Sequence, residues 1–127
     1  MSRKKIIQLF HNHLDNKGYQ DVRSNAVGKM RPPQFELESE NMTLKPDVSA
    51  EIRGKKLVYE FIEAKPSQKQ KVIEKCRNYL KVSKTAGVKP RLIVPVDRYD
   101  AVLQWINANR LEHIGLIRMN VKPNVSA

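Results

Sequence analysis

Asp47, Glu63 and Lys65 are residues whose types suit a hydrolytic site. Two carboxylates can hold one divalent cation, which takes oxygen ligands. Such a cation activates water and polarises a phosphoryl group, while a lysine ammonium beside it meets the negative charge that develops on the phosphate oxygens. The alternative is an ordinary strand that ends in an exposed Glu–Lys pair, with Asp47 as a turn residue. We favour the first interpretation, which predicts phosphodiester hydrolysis.

The flanking sequence predicts a β-hairpin that would bring these residues together. Strands are expected at 47–52 and 56–64, on either side of a turn in which Gly54 supplies the positive φ of a tight reversal. In antiparallel strands about 4.8 Å apart, Asp47 at the start of the first returns beside Glu63 near the end of the second. The period of two then predicts one shared face for Leu57, Tyr59, Phe61, Glu63 and Lys65.

Pro46-Asp47, followed after fifteen residues by Glu63-Ala64-Lys65, resembles the signature of the PD-(D/E)XK nuclease superfamily. The resemblance implies a metal-dependent DNA endonuclease with a restriction-endonuclease-like fold, in which helices flank a central mixed β-sheet. It implies Mg²⁺ or Mn²⁺ as the cofactor, with Asp47, Glu63 and Ala64 as metal ligands. Asp47, Glu63 and Lys65 would then be the catalytic residues.

Gln68 is a further catalytic candidate, because it follows the proposed lysine by three residues. Its amide could hold the attacking water or a phosphate oxygen, or it could simply be a polar residue at a helix start.

The small archaeal Holliday junction resolvases of this superfamily are similar to the chain in size and basicity. Gly18-Tyr19 and Arg23-Ser24 resemble the opening of those enzymes, so branched DNA is a candidate substrate. Cutting two strands at matched positions needs two sites, which predicts a two-fold homodimer. Its seam could be the helix expected at 97–109 or the last strand.

The charge of the chain also indicates a nucleic-acid partner. The 127 residues carry 24 Lys and Arg against 13 Asp and Glu, a formal net charge of +11. Such an excess favours a polyanion, with an anionic membrane surface a distant second. The candidate DNA-binding residues are Lys69, Lys71, Lys75, Arg77, Lys81, Lys84, Arg3, Lys4, Lys5 and Arg23. The alternative is the solvated face of a generally basic protein.

The whole sequence predicts one α/β (α+β) domain over 1–119 and a C-terminal tail at 120–127. Periodicity and helix stop signals give the order α-β-β-β-α-β-α-β. The expected helices are 3–17, 67–85 and 97–109, and the expected strands are 19–23, 47–52, 56–64, 91–94 and 114–119. An edge strand could also form at 34–38. Ser67 and Gln70 are predicted to form a capping box that opens the second helix.

The remaining motifs set limits on the function. No apolar run approaches the ~20 residues of a membrane span and no signal peptide is recognisable, so we expect an intracellular, cytoplasmic protein without membrane contact. Cys76 is expected in the core. His11 and His13 point to different helix faces, which argues against a shared metal site, and both are expected to be solvated or near the helix cap. Two other classes stay open: a DNA-binding module with the nuclease fold but no activity, and an accessory subunit of a nucleic-acid-processing complex.

Overall fold

The computed structural model describes residues 2–119, which form three helices and seven strands. The helices are α1 (Arg3–Asn16), α2 (Lys69–Ala86) and α3 (Tyr99–Ala108). The strands are β1 (Gln20–Ser24), β2 (Phe35–Leu37), β3 (Met42–Leu44), β4 (Val48–Ile52), β5 (Lys55–Phe61), β6 (Val88–Pro95) and β7 (Gly115–Met119). Without β2 and β3, this is the predicted α-β-β-β-α-β-α-β order. The tail predicted at 120–127 lies outside the described residues.

A mixed sheet in the order β1-β4-β5-β6-β7 forms the centre of the fold. β1, β4 and β5 pair antiparallel, whereas β6 pairs parallel with β5 and β7 pairs parallel with β6. The parallel pairs require crossover connections, which α2 and α3 provide. The predicted α/β class with a central mixed sheet is therefore confirmed. β2 and β3 form a separate antiparallel pair, which extends the edge strand expected at 34–38 into a hairpin.

The two faces of the sheet carry two separate apolar cores. On one face, Ile6, Ile7 and Leu14 of α1 pack against Leu57, Tyr59 and Phe61 of β5, among other residues. On the other face, Val58 of β5 packs with the buried sides of α2 and α3, and β2 and β3 lie against this core through Phe35, Leu37 and Leu44. The alternation of β5 residues between the cores is that of a strand buried on both faces.

The β4–β5 hairpin is tighter and shorter than the sequence predicts. Ile52 pairs with Lys55 across a two-residue turn in which Arg53 has φ 52° and Gly54 has φ 76°. Positive φ at both central residues is the geometry that matches the right-handed twist of paired strands. β5 begins within one residue of the predicted start at 56, but the predicted end at 64 is wrong, because the strand ends at Phe61.

α2 is amphipathic, and its apolar side is buried as expected. Val72, Ile73, Cys76 and Tyr79 are buried in the core, and the helix ends at Gly87, whose φ of 68° suits a glycine C-cap. The predicted capping box of Ser67 and Gln70 is wrong. Instead, a 3₁₀ turn at Pro66–Gln68 precedes the helix, and Gln68 Oε1 accepts a hydrogen bond from the backbone N–H of Lys65 at 2.9 Å.

The thiol of Cys76 should be unreactive in the folded protein. Its complete burial raises its pKa to about 12, so at pH 8 only about one molecule in ten thousand carries the nucleophilic thiolate. We expect no measurable reaction with Ellman's reagent over an hour at pH 8, and full reaction in 6 M guanidinium chloride. Equal rates in the two conditions would contradict the burial of Cys76.

α1 and β1 meet through one polar contact. His11 is buried, and its Nδ1 lies 2.7 Å from Ser24 Oγ, while its Nε2 lies 3.3 Å from Asp15. The expectation that His11 is solvated or near the helix cap is therefore wrong, whereas His13 is exposed in the last turn of α1 as expected. β1 itself is irregular: its register with β4 shifts between Gln20 and Arg23.

Between residues 2 and 119, no helix is long and apolar enough to span a bilayer.

Candidate active site and basic cleft

A cleft lies where β5 ends, between the first turn of α1 and the first two turns of α2. It encloses about 210 Å³. Its polar lining consists of Arg3, Glu60, Glu63, Gln68, Lys71 and Lys75, and its apolar lining of Phe61, Ile62 and Val72. Three cationic side chains therefore surround a space that also contains two carboxylates.

Asp47 is buried at the start of the hairpin, with only 5% of its surface exposed. Its Oδ2 accepts hydrogen bonds from Arg3 Nη2 at 2.6 Å and from the backbone N–H of Phe61 at 2.8 Å. Asn25 Nδ2 lies 3.5 Å from Oδ1. The carboxylate thus ties three segments together, and the guanidinium of Arg3 balances its charge. Because Arg3 also lines the cleft, Asp47 lies just behind the wall of that cleft.

Glu63 and Lys65 lie beyond the end of β5 and not on it. Glu63 Oε2 is 3.3 Å from Lys65 Nζ, and their side chains are 58% and 66% exposed. The strand cannot continue through them, because Ala64 between them has a φ of 59°. The predicted shared face with Leu57 is therefore wrong for these two residues.

Ala64 is buried, and its backbone carbonyl already has a hydrogen-bond partner. Its carbonyl oxygen accepts a hydrogen bond from Arg98 Nε at 2.7 Å. The guanidinium of Arg98 in turn stacks over Trp105, with 5.7 Å from Cζ to the ring centroid. The segment after β5 is thus held against α3 through Arg98.

Glu60 is a buried carboxylate that sequence reasoning missed. Its Oε1 accepts a hydrogen bond from the Tyr79 hydroxyl at 2.6 Å, and its Oε2 is in contact with the ammonium of Lys75. Burial, followed by the negative charge of Glu60, raises the pKa of Tyr79, so the hydroxyl keeps its proton and donates. The signal in the sequence was an acid inside an apolar strand, which needs a buried partner.

Gln68 serves the backbone at the same time as it lines the cleft. Its Oε1 is the acceptor for the Lys65 N–H, which leaves its amide –NH₂ as the group available to a ligand. A donor suits a phosphate oxygen, so Gln68 fits the phosphate-holding alternative of its predicted role better than water activation.

The predicted DNA-binding residues are distributed over the surface in two ways. Lys4, Lys5, Lys69, Lys71 and Lys84 are exposed and take part in no ion pair of the described residues. Others have partners: Arg23 pairs with Asp21, Lys81 pairs with Glu40, and Arg77 donates to Asn109. Arg3 and Lys75 pair with the two buried carboxylates. The cleft therefore has two cations that pair with buried carboxylates, Arg3 and Lys75, and one exposed cation, Lys71, that forms no ion pair with the described residues.

The donor set at the cleft allows a test of the implied magnesium ion. No group of three or more His, Cys, Asp or Glu side chains within residues 2–119 is arranged to hold a metal. Magnesium, however, is often bound by one or two carboxylates and several waters. Asp47 and Glu63 fit this requirement by donor type, provided that Arg3 leaves Asp47 Oδ2. The Ala64 carbonyl is already engaged by Arg98.

Comparison with models of known protein families, with curated proteins and with solved structures gives no match to this chain.

Proposed function

We propose that this protein is a metal-dependent DNA endonuclease that hydrolyses phosphodiester bonds at the cleft, with branched DNA as one candidate substrate. The observation that carries the proposal is the buried Asp47 carboxylate directly behind a cleft lined by Arg3, Lys71 and Lys75. A buried carboxylate beside several cations suits a site that binds a metal ion and a phosphate.

Different residues of the chain would have different roles in such a reaction. Asp47 and Glu63 would hold the magnesium ion, which when bound supplies Lewis acidity and an activated water. The side chain of Arg3 is 49% exposed and can turn from Asp47 towards a phosphate oxygen. Lys71 and the amide of Gln68 would orient the phosphodiester from the α2 side. Lys65, which pairs with the cleft residue Glu63, is the sequence candidate for the cation beside the ion.

The fold supports the same proposal. A hairpin that leads directly into a basic helix, within a mixed sheet covered by helices on both faces, is the arrangement that the PD-(D/E)XK resemblance implies.

The proposal includes a two-fold dimer, because antiparallel DNA strands are related by two-fold axes. Sedimentation equilibrium at micromolar concentration measures the mass of the protein in solution, with and without a four-way junction. A monomer mass in both conditions would exclude the dimer.

Incubation with labelled DNA tests the proposed activity. A duplex, a single strand and a four-way junction are incubated with Mg²⁺, with Mn²⁺ and with EDTA. We expect cleavage with either metal and none with EDTA. Absence of cleavage on all three substrates with both metals would refute the endonuclease.

A DNA-binding module without nuclease activity is the second candidate, and the ion pair of Arg3 with Asp47 favours it. Arg3 already neutralises the carboxylate at 2.6 Å, so the buried charge has a partner without a metal. Binding of DNA in EDTA without cleavage in Mg²⁺ would select this candidate. Failure to bind any DNA would point to the accessory-subunit class.

The exposed lysines at the start of α2 should determine the salt dependence of DNA binding. Each phosphate contact contributes about −0.9 to the slope of log K_obs against log salt. We therefore expect the double variant Lys69→Ala/Lys71→Ala to flatten the slope by about 1.8. Fluorescence anisotropy between 50 and 300 mM salt measures this slope for the wild type and for the double variant.

The matched control for this experiment is Lys55→Ala/Lys56→Ala. It removes the same charge from two exposed lysines at the opposite end of β5, where the hairpin turn lies. An equal flattening in both double variants would mean that DNA does not prefer the cleft end of the molecule.

A further inference from the structure

Lys75 is one of the two cleft cations that pair with a buried carboxylate, and its side chain is less exposed than that of Arg3, the other one. Its side chain is 35% exposed, it lines the cleft, and its ammonium contacts Glu60 Oε2. Glu60 is itself held from behind by the buried Tyr79 hydroxyl at 2.6 Å. Each oxygen of the carboxylate therefore has one partner, and the three side chains form a continuous chain from the core to the cleft wall.

Lys65 offers a contrasting environment. Its ammonium pairs with a carboxylate that is itself largely exposed, outside any strand or helix. An exposed ion pair of two long side chains is weak and mobile, so it fixes no position. A cation that is oriented before the ligand arrives stabilises phosphate charge better, because no reorganisation is needed at that moment.

The ammonium of Lys75 also retains hydrogen-bonding capacity. A lysine has three donors, and Glu60 is its one hydrogen-bond acceptor among the described residues. Lys71 lies four residues before Lys75 on α2, so both side chains project from the same helix face towards the cleft. Arg3 approaches from α1 on the other side.

We propose that the cleft is a subsite for one backbone phosphate of nucleic acid, and that Lys75, and not Lys65, is the lysine that contacts it. Glu60 and Tyr79 are positioning residues, which act through Lys75. This inference rests on the nucleic-acid substrate of the proposed function, but it does not require that the substrate is cleaved.

The test is the binding of a fluorescent DNA duplex in EDTA, measured by anisotropy. Lys75→Gln removes the charge but keeps an amide donor for Glu60. Lys65→Gln tests the competing lysine, and Lys55→Gln at the hairpin turn is the matched control. Loss of one charged hydrogen bond corresponds to about a tenfold weaker affinity, and we expect this for Lys75→Gln with a salt slope reduced by about 0.9. Lys75→Arg should restore most of the affinity. Equal effects of Lys75→Gln and Lys65→Gln would overturn the inference.

The positioning role of Tyr79 is tested by a double-mutant cycle. Tyr79→Phe should weaken DNA binding several-fold in the wild-type background and have no further effect in the Lys75→Gln background. A merely structural role would weaken binding equally in both, and that result would overturn the positioning role. Cleavage with Mg²⁺ is scored separately: its absence refutes the endonuclease, whereas only the binding data bear on Lys75.

Discussion

Replacing Asp47 by asparagine is expected to lower the rate of magnesium-dependent cleavage by at least about a hundredfold, the scale of losing a group that binds the metal. Asparagine keeps an oxygen that can accept the hydrogen bond of the Phe61 N–H, so the fold should be retained. DNA binding should be unchanged or tighter, because one negative charge near the phosphate is removed and Arg3 is released. Initial cleavage rates and anisotropy on the same substrate measure both effects.

Asp47→Ala would be a less informative variant, because it leaves the buried N–H of Phe61 without its acceptor. A lower cleavage rate could then result from a less stable fold and not from the loss of a metal ligand. The matched control is Glu51→Gln, which changes the same charge on β4 near the hairpin turn. Glu63→Gln should resemble Asp47→Asn. If Asp47→Asn cleaves DNA at the wild-type rate, Asp47 does not bind the ion.

Replacing Glu60 by alanine is expected to lower the free energy of unfolding by about 3 kcal/mol. The carboxylate holds the buried Tyr79 hydroxyl and the Lys75 ammonium, and removal of one member of a buried pair leaves the other without compensation. Since Lys75 can turn partly to water, the larger share of the loss comes from Tyr79 and from the cavity. Urea denaturation followed by circular dichroism measures the change.

Glu74→Ala is the control for this prediction, because Glu74 is an exposed acid on α2. Its effect should stay within about 0.5 kcal/mol. Glu60→Gln should fall between the two, since its amide retains one acceptor for the tyrosine. A Glu60→Ala variant as stable as Glu74→Ala would mean that the buried contacts contribute nothing to stability.

The features predicted correctly from the sequence are those that depend on neighbouring residues. The two helices that flank the hairpin follow from apolar spacing, and the tight turn follows from Gly54, which adopts the positive φ expected of it. In both cases a local preference and the tertiary structure agree, which is the condition under which sequence reasoning succeeds. The central mixed sheet was instead an expectation from the family resemblance, and the observed sheet agrees with it.

The environment of the carboxylates could not be predicted, because it depends on distant residues. Arg3 and Asp47 are 44 positions apart, and Glu60 meets Lys75 and Tyr79 at separations of 15 and 19. No periodicity links such partners. The predicted end of β5 was also wrong. Ala64 has a positive φ, and its carbonyl accepts a hydrogen bond from Arg98, which lies 34 residues later in the chain.

The irregular pairing of β1 has a consequence for solubility. β1 is one edge of the sheet, and an edge strand presents unpaired backbone groups that can recruit another chain. Here the register shifts along the strand, Asp21 takes a φ of 48°, and Arg23 pairs with Asp21 at 3.1 Å. A short, bulged and charged edge is a poor template for strand addition. The bulge in β1 therefore protects this side of the sheet from edge-to-edge aggregation.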